Sequence, residues 1–128
     1  MRKQKYNENV ELVFVYTEVF NKIWDHYGLS ETDKKKFEKQ VREYEESNTD
    51  PSNVLGDIIA NTGGAIKLRL DSSNDNVGKS GGYRIIYTKY GRRIYAMLLI
   101  YKKSDKETLT DKEKSIIKSR IKELKKTQ

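Results

Sequence analysis

The chain has no cysteine at all, which excludes a disulfide framework, a zinc–thiolate site and a thiol nucleophile. Histidine is nearly absent too. His26 stands alone, so a ribonuclease mechanism built on two histidines is impossible. His26 falls within a stretch of aromatic residues at helical spacing and reads as a structural or surface residue. Proline occurs once, at Pro51, where it fits a turn after a helix. No apolar run approaches the roughly 20 residues needed to cross a bilayer. The opening M-R-K-Q-K-Y-N-E-N lacks the apolar segment of a signal peptide. The cytoplasm is therefore the expected compartment, without membrane contact. There is no internal repeat and no extended low-complexity tract.

What the chain has is positive charge, unevenly placed. Across 128 residues the net charge is +7, with a pI near 9.4. Residues 66–103 hold nine Lys or Arg against two Asp, whereas residues 1–65 carry more acid than base, nine against twelve. Such a concentration favours nucleic acid or an acidic protein as partner, although a lysine-rich surface alone has blander explanations. The length suits one domain with a single core.

Taken in order, residues 1–9 are expected to be flexible. Val10 to Val15 is apolar and β-branched and suits a first strand. Thr17 can cap a helix, along which Phe20, Trp24 and Tyr27 line one face, with Gly28 ending it. Ser30 and Asp33 form a capping-box pattern before a second helix with Phe37, Val41 and Tyr44 on one face. These two helices should pair as an antiparallel hairpin. Val54 to Ile59 reads as a helical turn or irregular segment, and Asn61 to Gly64 as a turn. Then comes a strand in which Ile66, Leu68 and Leu70 alternate with Lys67 and Arg69. Beyond a polar loop, Arg84, Ile86 and Thr88 share one face of the next strand. Tyr90-Gly91-Arg92 is a hairpin turn, and Ile94 to Tyr101 is a central strand. Thr110 and Glu113 open a terminal helix spanning about 108–126, with Ile117, Ile121 and Leu124 on its apolar face. The expected fold is α+β: an antiparallel sheet in the order β-α-α-β-β-β-α. The helices cover one face, leaving the other as a working surface.

If consecutive strands pair, Lys67, Arg69, Arg84 and Lys102 or Lys103 can converge. Fixed cations bind phosphates through charge-assisted hydrogen bonds. They also stabilise a phosphorane, whose charge exceeds that of the ground-state diester. Crowding disfavours protonation of each lysine, so one could accept the proton of a ribose 2′-hydroxyl while a neighbouring cation returns a proton to the leaving 5′-oxygen. That chemistry requires neither metal nor other cofactor. Tyr83, Tyr87, Tyr90, Tyr95 and Tyr101 interleave with the cations, and any exposed ring could stack on a base. Asp71 and Asp75 could bind Mg²⁺ but read better as turn formers. Gly78-Lys79-Ser80 lacks the upstream glycine of a P-loop and precedes a strand, so it is rejected as one.

The segments T-G-G-A-I-K-L-R, G-K-S-G-G-Y-R-I-I-Y and L-L-I-Y-K-K-S-D-K-E-T-L-T-D-K-E resemble the RelE/ParE toxin superfamily, nearest its HigB-like branch. The likeness runs from about Val10 to Glu123. It implies a microbial-RNase-like fold and the toxin of a type II toxin–antitoxin pair. Such a toxin enters the ribosomal A site, cleaves mRNA by in-line 2′-hydroxyl attack, and is restrained by a cognate antitoxin, often a helix-turn-helix protein. Carried over by motif, Lys67, Arg69, Arg84 and Lys102 are the catalytic candidates. Lys79, Tyr83, Tyr101 and Lys103 are the RNA-binding ones. Three departures stand out. Relatives often read G-G-L-R-K where this chain has Ile66 before Lys67. Asp71 and Asp75 sit in a loop that is often more basic. No tyrosine follows Tyr101, although some relatives have one there for base stacking. A gyrase-poisoning toxin of the ParE kind and a catalytically dead RNA-binding domain are the alternative readings on this scaffold.

Overall fold

The computed structural model describes residues 11–50, 52–70, 82–91, 93–106 and 108–126. Along the chain these form β1 (Val13–Tyr16), α1 (Glu18–His26), α2 (Glu31–Ser47), β2 (Asp57–Ile58), β3 (Ala65–Leu70), β4 (Tyr83–Tyr90), β5 (Ile94–Lys102) and α3 (Asp111–Lys126). The α+β class and the helix hairpin between the first strand and the rest agree with the sequence. The sheet differs in two ways. It has five strands in the order β1-β5-β4-β3-β2, because β2, only two residues long, pairs with β3 where a helical turn or irregular segment was expected. It is also mixed, since β1 runs parallel to β5. A parallel pair needs a long crossover, and everything from α1 to β4 supplies it.

Local signals account for the helices. The Thr17 hydroxyl accepts a hydrogen bond from the Phe20 N–H at 3.1 Å and caps α1. Gly28 then turns the chain with φ +71°, a conformation in which glycine carries no Cβ penalty. Ser30 and Asp33 exchange hydrogen bonds in a full capping box at the start of α2. Thr110 and Glu113 do the same before α3, at 2.9 and 3.1 Å. None of the helices among the described residues is long and apolar enough to cross a membrane.

The sheet is covered on both faces. Phe20 and Trp24 of α1 and Phe37 and Val41 of α2 pack on Ile66, Leu68, Ile85, Tyr87, Tyr95 and Met97. On the opposite face Ile117 and Ile121 of α3 pack on Ala65, Ile86, Ala96 and Leu98. The expectation of helices on one side alone is therefore corrected: α3 crosses the far face, where the small side chains of Ala65 and Ala96 let it approach closely. Among the described residues, the other end of that face has no helix packed on it.

One charged residue lies deep in the hairpin core. Glu45 is 1% exposed. Its carboxylate receives the Lys89 ammonium at 2.6 Å and the Tyr95 hydroxyl. Close by, the Tyr87 hydroxyl donates to the Leu55 carbonyl at 2.5 Å. Removing one member of a buried pair strands the other charge, at about 3–5 kcal/mol. Glu45→Ala should lower the unfolding free energy by about that much in urea titrations. Glu45→Leu combined with Lys89→Met should cost less than the two single changes together.

The tyrosines make a second, pH-dependent prediction. Burial raises the phenols of Tyr16, Tyr27, Tyr87 and Tyr101 above the ordinary tyrosine range. In the unfolded chain these groups ionise at about pH 10, while in the folded chain their ionisation is pushed to higher pH. Their contribution is complete below that pH and is lost as pH rises through it. Each fully buried one, such as Tyr87, removes about 1.4 kcal/mol per further pH unit. Denaturation midpoints measured from pH 8 to 11 should therefore fall steeply only above about pH 10.

Candidate functional site

The two faces of β3 sort its side chains by chemistry. Ile66, Leu68 and Leu70 enter the hairpin core, and Ala65 enters the α3 core. Strand alternation then puts Lys67 and Arg69 on the α3 side. In β4, Ile86 lies in the α3 core and Ile85 in the hairpin core, so Arg84 is also on the α3 side. Register completes the arrangement. Arg69 is opposite Arg84, Arg84 is opposite Tyr101, and Lys67 is opposite Ile86 one row away on that face. Directly opposed residues in an antiparallel pair place their Cβ atoms about 4.5–5.5 Å apart. Three cations thus occupy adjoining positions at the end of the face that α3 leaves open. Arg69 is exposed, and Lys67 and Arg84 are half-buried.

Among the described residues no ion pair engages them. The ion pairs between described residues join Lys34 to Glu31, Lys39 to Glu43, Arg42 to Glu38, Lys89 to Glu45 and Lys106 to Glu113. None involves Lys67, Arg69 or Arg84. Arg84 makes a 3.5 Å contact from Nη1 to the Tyr83 carbonyl, which leaves the rest of its guanidinium fork for a ligand.

Lys102 does not join the group. Between β4 and β5 the register jumps: Tyr87 faces Met97, but Ile86 faces Leu99. Leu98 is the extra residue of a β-bulge, and a bulge reverses the alternation beyond it. Simple alternation from Met97 would put Lys102 on the same face as Arg84. Instead Tyr101 takes that side, and Lys102 lies on the hairpin side with its Nζ 5.7 Å from the Tyr83 ring centroid. Lys103 is half-exposed just past the strand, where its N–H donates to the Gly82 carbonyl at 3.0 Å. Lys79, with Asp71 and Asp75, lies outside the described residues.

The two tyrosines proposed for base stacking also need correcting. Tyr83 is 3% exposed and packs edge-to-face on Tyr27 in the hairpin core, with ring centroids 5.1 Å apart. Tyr101 is on the cationic face but only 4% exposed, and the Lys106 ammonium sits over its ring. Neither ring is open to a base. Burial raises the Tyr101 phenol, the Arg84 charge lowers it and the Glu113 charge raises it further, so it stays protonated at neutral pH.

Two neighbours of the site escaped the sequence reading. Lys106 covers Tyr101 and pairs with Glu113, and nothing in the charge-rich stretch after β5 distinguishes it from its neighbours. Asp57, on β2, is directly opposite Lys67, but two residues are too few for strand periodicity to show. A mainly apolar groove lined by Thr17, Val19, Leu98, Leu99, Ile116 and Ile117, with Glu113 and Arg120 also on its walls, lies between α3 and the start of α1. Its chemistry suits a hydrophobic surface, whereas a polyanion is held by charge and needs no enclosing cavity.

The facing of the cations is open to measurement. Single-stranded RNA should lose about 0.7 from its log–log salt slope for each phosphate contact removed. Lys67→Ala, Arg69→Ala and Arg84→Ala should each show that loss in fluorescence-anisotropy titrations across a salt series. Lys102→Ala should leave the slope unchanged. No protein-family model matches the chain.

Proposed function

We propose that this protein is an endoribonuclease of the RelE type, the toxin of a toxin–antitoxin pair, which cleaves mRNA in the ribosomal A site. One observation carries the reading: Arg69 and Arg84 are directly opposed on one sheet face, with Lys67 in the adjoining row. Like charges placed opposite each other across strands destabilise a sheet. No carboxylate among the described residues forms an ion pair with any of the three. Such an arrangement makes sense when an external polyanion supplies the missing negative charge. The motif resemblance narrows that polyanion to the mRNA backbone.

In this mechanism the two guanidinium forks hold the non-bridging oxygens of the scissile phosphate, and Lys67 adds a third donor. The ribose 2′-oxygen attacks phosphorus in line. Negative charge builds on the phosphorane oxygens, where preorganised cations are worth most. The P–O5′ bond breaks, leaving a 2′,3′-cyclic phosphate and a 5′-hydroxyl. In this reading the phosphate is held by protein cations. Lys102, on the opposite face, falls outside this machinery. The partners under this reading are the translating ribosome, its mRNA and a cognate antitoxin, and the site of action is the cytoplasm.

Induced expression followed by mapping of mRNA 5′ ends tests the proposal. New ends with 5′-hydroxyls should appear within translated reading frames. Arg84→Ala should reduce them about 10²–10³-fold while circular dichroism stays that of the wild type. DNA-damage signalling without mRNA loss would instead assign the protein to gyrase inhibition.

A further inference from the structure

Cationic side chains can clamp a phosphate, but the attacking 2′-hydroxyl must also lose its proton. Lysine and arginine as residue types hold their protons at neutral pH, whereas a carboxylate is already ionised and ready to accept one. The row of Lys67, Arg69 and Arg84 itself holds no carboxylate. The short strand β2 supplies one.

Asp57 is directly opposite Lys67 across the β2–β3 pair, so the two side chains leave the sheet on the same face. Ile59, two residues on, packs into the core beneath α3, which independently places that side of β2 on the cationic face. The preceding residue holds the strand close. Gly56 has φ +114°, and a Cβ there would lie 2.4 Å from the Lys67 carbonyl oxygen. Only glycine lets the chain press onto the backbone of Lys67 at this point. Asp57 is thereby fixed at the edge of the phosphate-binding row. It is exposed, and no ion pair among the described residues engages it. A carboxylate beside a polyanion-binding surface weakens binding by repulsion, and its placement here is explained by a role in the reaction itself.

We infer that Asp57 is the proton acceptor for the 2′-hydroxyl. This assignment rests on the nuclease reading and replaces a lysine as the base. The proton passes from the 2′-oxygen to the Asp57 carboxylate as the O2′–P bond forms. The P–O5′ bond breaks, and the 5′-oxygen takes a proton from solvent water. Asp57 then returns its proton to solvent, so the two transfers cancel and no further reactant is consumed.

The test uses the full chain with ribosomes programmed with a labelled mRNA, in single-turnover assays, and a labelled oligoribonucleotide for binding. Asp57→Asn changes one exposed atom and should leave the melting temperature unaltered. It should slow cleavage about 10²-fold or more while RNA affinity stays equal or rises, since one negative charge is gone. Asp57→Glu should recover part of the rate. Cleavage by Asp57→Asn within about threefold of wild type, or a rate loss matched by an equal affinity loss, overturns the assignment. If the wild type cuts, Arg84→Ala does not and Asp57→Asn does, the base assignment alone fails. If the wild type does not cut programmed mRNA, the nuclease reading and the base assignment both fall.

Discussion

Two guanidinium groups on directly opposed residues repel each other, and a sheet left to itself would avoid placing them so. The register that imposes this on Arg69 and Arg84 is set by the opposite face of the same strands. Ile66, Leu68 and Leu70 of β3 and Ile85 and Tyr87 of β4 are buried under the helix hairpin. A one-residue slip of either strand would turn those side chains out to solvent. Each fully buried side chain of this size is worth about 1.5–3 kcal/mol, far more than the repulsion between two partly solvated charges. The apolar face therefore dictates the geometry of the cationic one, and the row of cations is as rigid as the core behind it.

The helices divide the remaining work. The hairpin supplies most of the apolar cover and is tied to the sheet by the Glu45–Lys89–Tyr95 cluster, which fixes how α2 sits over β4 and β5. α3 covers only one end of the second face, centred on Ile117 and Ile121. Its N-terminal capping residue Glu113 also holds Lys106, which in turn lies over Tyr101. The helix that closes the second core thus borders the open cationic end without covering it.

Much of this was legible in the residues. The clean alternation of β3 assigned Lys67 and Arg69 to one face, and Arg84 joined them on the expectation that consecutive strands pair, because the pattern of β4 mixes Arg84 with Ile86 on one side. The caps at Thr17, Ser30 and Thr110 marked three helix starts, since each provides a hydroxyl three residues before the backbone N–H it satisfies. The failures share a cause: local pattern carries no signal for them. The run Met97-Leu98-Leu99-Ile100 is apolar throughout, so nothing announces the bulge that turns Lys102 away and brings Tyr101 in. β2 is too short to show a period. The side on which α3 packs depends on chain path, and the parallel pairing of β1 depends on a partner some eighty residues distant. Tyr83 and Tyr101 looked like stacking platforms because strand tyrosines read alike whether covered or bare.

The pairing of β1 with β5 reaches beyond the finished molecule. Val13 finds its partner only when Ile94 exists. The partner strand β5, which separates β1 from β4 in the sheet, cannot be laid down until the chain has emerged from the exit tunnel past residue 102. Until then the apolar stripe of the helix hairpin has no complete sheet to cover it. Contacts this distant along the chain make assembly slow, and a nascent chain in that condition is a natural client for chaperones that shield exposed apolar surface.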